Sequence, residues 1–243
     1  MIEEFDEYTH NFDMNNIKIK RKYDHSYRVM ELSKKYATLL GFDKHDIELA
    51  TIIGLLHDIG RFEQLKQYDT FDDSISFDHA TYGCKLLFDN NMIEKFYSNK
   101  EDYEIIRFAI ENHNKLKIEE TNNEKALMHA KLIRDTDKLD ILYLIGYLKE
   151  YDIQASDEEI TKEVLEQFYN HQSILKNSRK NVNDKIVFTF SYAFDINYDI
   201  CLEEFKNNFK YFYDKVEINN KFKDIYNEII KYIDERMNNY VRN

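Results

Sequence analysis

Not one of the 243 residues is proline and only five are glycine, so this chain is almost without the residues that break a helix. Proline removes a backbone donor and clashes with the preceding turn, and glycine costs about 1 kcal/mol against alanine in a helix interior. A chain that avoids both over this length, and in which no alternating apolar pattern dominates, is expected to be all-α. Its length allows a substantial core within one domain.

Helical spacing then divides the chain. Residues 1–23 read as a short helix or lead-in. Asp24 is a good N-cap, followed by His25, Val29, Leu32, Tyr36 and Leu39 on one face until Gly41. A second helix begins near Asp43 to Asp46 and carries Ile47, Ala50, Ile53, Gly54 and His57 inward, with Gly54 open to a neighbouring helix. Glu63 to Phe77 reads as a rim or lid, irregular in its second half, whose acids Asp69, Asp72 and Asp73 are most simply solvated. Ser76 or Asp78 caps a helix bearing His79, Gly83 and Leu86 or Leu87. Another, near Glu101 to Asn112, stacks Ile106, Ala109, Ile110 and His113. After a polar loop, Ala126, Ala130, Ile133 and Asp137 recur at helical spacing, so Asp137 is expected to face inward.

The last hundred residues carry no placed motif. Ser156-Asp157-Glu158-Glu159 reads as a capping box ahead of Ile160, Val164, Leu165 and Phe168. Ile186 to Phe194 is read as helix rather than strand, and Phe222, Tyr226, Ile229, Ile230, Ile233, Met237 and Tyr240 define a final amphipathic helix. No linker separates these segments from the rest, so one domain is expected.

Chemistry concentrates in Leu55-Leu56-His57-Asp58-Ile59-Gly60-Arg61. An adjacent imidazole and carboxylate at the end of an apolar run are costly to bury unless a cation binds both. A neutral nitrogen beside a hard anionic oxygen suits borderline first-row divalent metals. Two side chains cannot complete a coordination sphere. His25, His79, His113 and Asp137 are the further candidates, each on an inward face, whereas His10, His45, His129 and His171 lack such a context.

The order His25, His57-Asp58, His79, His113, Asp137 resembles the HD-domain superfamily of metal-dependent phosphohydrolases, specifically members with a two-metal site. The resemblance spans residues 20–145, leaving 146–243 as a C-terminal helical extension of the same domain. It implies that these six residues bind one or two divalent ions, drawn from Mn, Fe, Ni, Co, Mg or Zn. Asp58 would bridge them, with His25, His57 and Asp137 on one ion and His79 and His113 on the other. Two cations ~3.5–4 Å apart would activate water for attack at phosphorus. Asp58, Arg61 and Lys138 are the expected catalytic residues, and Arg28, Arg61 and Lys138 the expected phosphate contacts. Arg61 could equally be a partner of Glu63 or Asp58, and Asp140 could orient a ligand histidine.

The expected substrate is a small phosphate ester or anhydride, a nucleotide above all. Two rival readings remain open: an HD-fold di-iron oxygenase, and a non-enzymatic nucleotide sensor. The Gly-Tyr-Pro signature of the cyclic dinucleotide group is missing from a chain without proline. A net charge of −12 argues against generic nucleic-acid binding. Cys84 and Cys201 read as reduced thiols. No stretch approaches the ~20 apolar residues of a membrane span, so a cytoplasmic protein is expected, with its oligomeric state open.

Overall fold

The structure, a computed structural model, describes residues 1–148 and 153–241, and of residues 240 and 241 the backbone alone. Among the described residues there is no strand, and the fold is all-α, as the scarcity of helix breakers predicts. The chain clusters into two compact units, Met1–Thr136 and Asp137–Asn243.

The first unit contains α1 (Ile2–Thr9), α2 (Ile17–Leu39), α3 (Lys44–Leu56), α4 (Gly60–Tyr68), α5 (His79–Cys84), α6 (Ile93–Phe96) and α7 (Tyr103–Asn112), and α8 (Glu124–Leu142) starts in it. Helix α2 begins seven residues before the expected Asp24. Asn16 caps it by accepting from the Lys18 amide at 2.9 Å, and nothing between Ile17 and Asp24 interrupts a helix once it has started. His25 therefore lies in the interior of α2 rather than in its first turn, a correction to the sequence reading. Asp43 caps α3 as expected, accepting from the Asp46 amide.

Helices α2 and α3 meet backbone to backbone. A Cβ on Gly54 would lie 2.9 Å from Met30 Cα and from the Val29 carbonyl, so only glycine admits this approach. Leu49, Ile52, Ile53, Leu55 and Leu56 fill the core around that contact together with Val29, Ile59, Phe62, Ile106 and Ile110. Phe5 of α1 adds its ring edge-on to Tyr27 and Phe62. Gly60 makes the second close approach, because a Cβ there would meet the His79 carbonyl oxygen at 2.2 Å. Asp78 caps the short α5 by accepting from the Thr81 amide at 2.8 Å, and a wider π turn, Lys85–Asp89, continues it.

The second unit holds the end of α8 followed by α9 (Lys162–Tyr169), α10 (Val182–Phe190), α11 (Leu202–Val216) and α12 (Lys223–Val241). Its core is aromatic: Phe190 packs against Phe209, Phe212 and Phe222 at ring distances of 4.9 to 5.8 Å. Ile186 to Phe194 is helical, first α10 and then a 3₁₀ turn. The last helix forms as expected; Tyr240, assigned to its inward stripe, lies outside the described side chains.

The capping box at Ser156 does not start a helix, since α9 begins only at Lys162. Asn183 explains why. Its side chain accepts from the Ser156 amide at 3.0 Å and donates to the carbonyls of Ser156 and Glu158, while Lys221 Nζ donates to the same two carbonyls. Backbone groups satisfied in this way need no helix. Cys84 and Cys201 are free and buried, as expected. Among the described residues, no helix is long and apolar enough to cross a membrane.

Candidate metal centre

Four helix-borne histidines and one carboxylate converge inside the first unit. His25 projects from α2, His57 ends α3, Asp58 follows it, His79 opens α5 and His113 ends α7. All five are at most 4% exposed. The two oxygens of Asp58 face different histidine pairs. Oδ2 lies 3.5 Å from His25 Nε2 and 3.7 Å from His57 Nε2, while Oδ1 lies 3.2 Å from His79 Nε2 and 3.6 Å from His113 Nε2. Within each pair the Nε2 atoms are 3.3 Å apart (His25 and His57) and 3.0 Å apart (His79 and His113).

The other ring nitrogens fix the tautomers. His57 Nδ1 donates to the Gly54 carbonyl at 2.8 Å, and His113 Nδ1 donates to the Ile110 carbonyl at 2.6 Å. His79 Nδ1 is 2.8 Å from Asp73 Oδ2. A neutral ring that carries its proton on Nδ1 presents a bare lone pair at Nε2. Burial pushes the His113 imidazole down to about 4 against the opposing pull of Asp58, so it is neutral near pH 7. Inward-facing lone pairs 3.0 Å apart repel one another unless something positive lies between them.

The donor set fits divalent metal on that observation. Two ligands at ~2.1 Å from one ion and at right angles to each other lie ~3.0 Å apart, which is the separation that the facing nitrogens show. Mixed imidazole and carboxylate donors suit Mn, Fe, Co, Ni and Zn. His25, His57 and Asp58 group closely enough to share one ion, and so do Asp58, His79 and His113.

Cationic groups already surround Asp58. Lys22 Nζ lies 2.5 Å from Oδ2, with its side chain only 12% exposed, and Arg61 Nε lies 3.7 Å from Oδ1. Burial alone would raise the Asp58 carboxyl, but Lys22 and the neighbouring imidazoles outweigh it and hold the group well below the ordinary carboxylate range.

Arg61 also anchors the segment that follows α4. Its Nη1 donates to Gln64 Oε1, the Phe71 carbonyl and Asp73 Oδ1 at 2.6 to 2.8 Å, and Nε is buried without a hydrogen-bond partner. Of the three rim acids, Asp69 is exposed and pairs with Lys18, and Asp72 is exposed and accepts from Ser74. Asp73 instead turns inward to His79. Its burial works against ionisation, but His79, Arg61 and Gln64 prevail and lower its carboxyl to about 2.

Arg28 is half-buried on α2, one turn after His25. Asp137 is the first residue of the second unit, half-buried on α8. Lys138 and Asp140 are buried in that unit, where Lys138 Nζ pairs with Asp195 at 2.8 Å and lies over the Tyr192 ring. His10, His45, His129 and His171 stay out of the cluster; His129 pairs with Asp46 instead.

Four contributors escaped the sequence reading: Lys22, Asp73, Gln64 and Arg134. Lys22 is three residues before His25 on one helix, a spacing that puts both on one face. Arg134 Nη1 takes the carbonyls of Asn112, His113 and Lys115, tying down the end of α7 where His113 sits.

The family model described as HD domain matches residues 23–142. No curated protein and no solved structure matches the chain. With that match spanning the elements that bring His25, His57, Asp58, His79 and His113 together, residues 23–142 form an HD domain, a family most of whose members are metal-dependent phosphohydrolases.

Proposed function

We propose that this protein is a cytoplasmic phosphohydrolase that cleaves a phosphate ester or anhydride of a small molecule, a nucleotide, at a centre of two divalent ions. The observation that carries the reading is the divided carboxylate of Asp58, with one oxygen toward His25 and His57 and the other toward His79 and His113. A single carboxylate shared by two imidazole pairs is the donor arrangement that two neighbouring cations require. Asp137 is assigned to the ion of His25 and His57, on the resemblance set out above.

When bound, divalent ions supply Lewis acidity toward a phosphoryl oxygen and lower the pKa of water for attack at phosphorus. The chain's own residues do the rest. The Nδ1 donors of His57 and His113 keep the inward nitrogens bare, and burial excludes bulk water from the histidines. Lys22 and Arg61 supply positive charge at the Asp58 edge, where an anionic substrate would otherwise be repelled. Arg28 and Lys138 are assigned to the substrate's phosphates. The net charge of −12 favours small substrates over nucleic-acid polymers.

Metal analysis of the purified protein, followed by a phosphate-release screen across nucleotides with Mn, Mg, Ni and Co, tests the assignment. The expected result is release from at least one nucleotide that a chelator abolishes and added metal restores. Metal-loaded protein that releases phosphate from no nucleotide would overturn it, and a mixed-valence iron signal under oxygen would favour the oxygenase instead.

A further inference from the structure

The segment between α4 and α5 reads from sequence as a solvated rim, yet one of its acids points into the protein. Asp73 uses its two oxygens for different tasks. Oδ1 accepts from Arg61 Nη1 and from Gln64 Nε2, both at 2.8 Å, and Oδ2 lies 2.8 Å from His79 Nδ1. Gln64 continues the tether by donating to Ser76 Oγ at 2.8 Å and to the Phe77 carbonyl at 3.0 Å. Both anchors stand on α4, the helix that starts just after Asp58.

His79 differs here from His57 and His113. Those rings end helices and spend their Nδ1 protons on a carbonyl of their own helix, three residues back. His79 is the first residue of α5, where no preceding turn offers a carbonyl. Its Nδ1 partner has to come from elsewhere. A carboxylate is also a stronger acceptor than a carbonyl, so it fixes the tautomer more firmly and makes the opposite nitrogen a better donor to a cation.

We propose that Asp73 is a positioning residue for His79: it holds the imidazole as the Nδ1–H tautomer with Nε2 directed at Asp58 Oδ1, and thereby sets the affinity of the second metal position. The assignment rests on the reading of His79 as a ligand for its metal consequence, and on geometry alone for the tautomer. Arg61 accordingly acts through Asp73, holding the carboxylate at the distance that leaves Oδ2 for the ring.

The test has one arm without metal and one with it. In metal-free protein, nitrogen-15 imidazole shifts, with the His79 resonance assigned through His79→Gln, should show Nδ1–H in the wild type. Asp73→Ala should move His79 toward the Nε2–H form. Asp73→Asn keeps the side chain's size, but its amide oxygen can serve either His79 or Arg61 and not both, so it should shift the tautomer partly. In calorimetric titration with zinc, the weaker of two sites should lose about 10–100-fold in affinity in Asp73→Ala while the tighter site stays unchanged. Ser76→Ala loosens the segment from Gln64 without touching the Asp73–His79 pair, and should leave both tautomer and zinc affinity as in the wild type.

Retention of the Nδ1–H form in folded Asp73→Ala would overturn the proposal, as would the same affinity loss in Ser76→Ala, which would make Asp73 a loop anchor only. A wild type that takes up a single zinc refutes the two-ion reading and not the tautomer assignment, which the metal-free arm decides separately.

Discussion

On one side of the Asp58 carboxylate, His25 and His57 project from helices of 23 and 13 residues whose backbones touch at Gly54. On the other, His79 heads a six-residue helix and His113 ends α7, and these two are steadied by polar groups from elsewhere, Asp73 for the first and Arg134 for the second. The first half is thus placed by helix packing, which is cooperative with the whole core. The second depends on a segment with little regular structure and exposed neighbours, the kind of element that opens at the least cost in free energy. The two halves present similar nitrogen pairs to one carboxylate and should nevertheless hold metal with different strength.

Removing what the halves share gives the largest effect. Asp58→Ala takes away both carboxylate oxygens, so both positions should lose metal and hydrolysis should fall by more than the ~10–100-fold typical for an outer partner of a ligand. The helices keep their apolar faces, and far-ultraviolet circular dichroism should remain that of the wild type. Full metal retention in this variant would remove Asp58 from its role as a shared ligand and dissolve the comparison.

Separating the halves comes next. His79→Ala or His113→Ala should lower the stoichiometry from two ions toward one, with the remaining ion on the side of His25 and His57. Dialysis of the wild type should likewise remove one ion well before the other. Two ions retained in His79→Ala after dialysis would contradict the division.

The helices and the histidine rows were legible because both follow from periodicity: an apolar stripe at 3.6 residues per turn carries any histidine placed on it toward the core. Gly54 was legible as a close approach and Gly60 was not, since sequence does not say which backbone arrives. Asp24 is a good cap by composition and hid the true start of α2, and with it the register that brings Lys22 to Asp58. The capping box at Ser156 failed for the opposite reason, because its backbone partners come from Asn183 and Lys221, remote in sequence. Asp73 lies in an irregular segment to which no period applies, and Arg134 reaches carbonyls about twenty residues away. Long-range polar contacts carry no local signature.

The glycines give a sharper but smaller probe. Gly60→Ala forces a Cβ against the His79 carbonyl at 2.2 Å, and Gly54→Ala forces one against Met30 and Val29 at 2.9 Å. Overpacking of this kind costs about 1–3 kcal/mol, with the backbone collision at Gly60 at the upper end. Gly60→Ala should displace α5 and weaken the second ion selectively, whereas Gly54→Ala should lower thermal stability and weaken the ion of His25 and His57. Thermal melts combined with metal titration distinguish them, and equal losses at both positions in each variant would show that the halves move as one.

Lys22→Met should have the smallest effect, and its sign depends on the metal. In metal-free protein the ammonium offsets the Asp58 charge at 2.5 Å from Oδ2, with both side chains largely buried. Losing one partner of a buried pair costs up to ~3–5 kcal/mol, and the 12% exposure of Lys22 together with the nearby imidazoles places this case below that range. The metal-free variant should therefore melt at a lower temperature than the wild type. A divalent ion bound on the Oδ2 side would take over the neutralising role, and in the variant it would no longer compete with the ammonium. Because binding to the folded state stabilises by RT ln(1 + [L]/Kd), the rise in melting temperature on adding manganese should be larger for Lys22→Met than for the wild type. Lys22 contacts Oδ2 and not Oδ1, so the gain should persist when His79→Ala has disabled the second position and vanish when His57→Ala has disabled the first. An identical manganese-induced shift in Lys22→Met and wild type would mean that Lys22 and the ion do not compete for Asp58, and the charge asymmetry between the two halves would then have no consequence for metal binding.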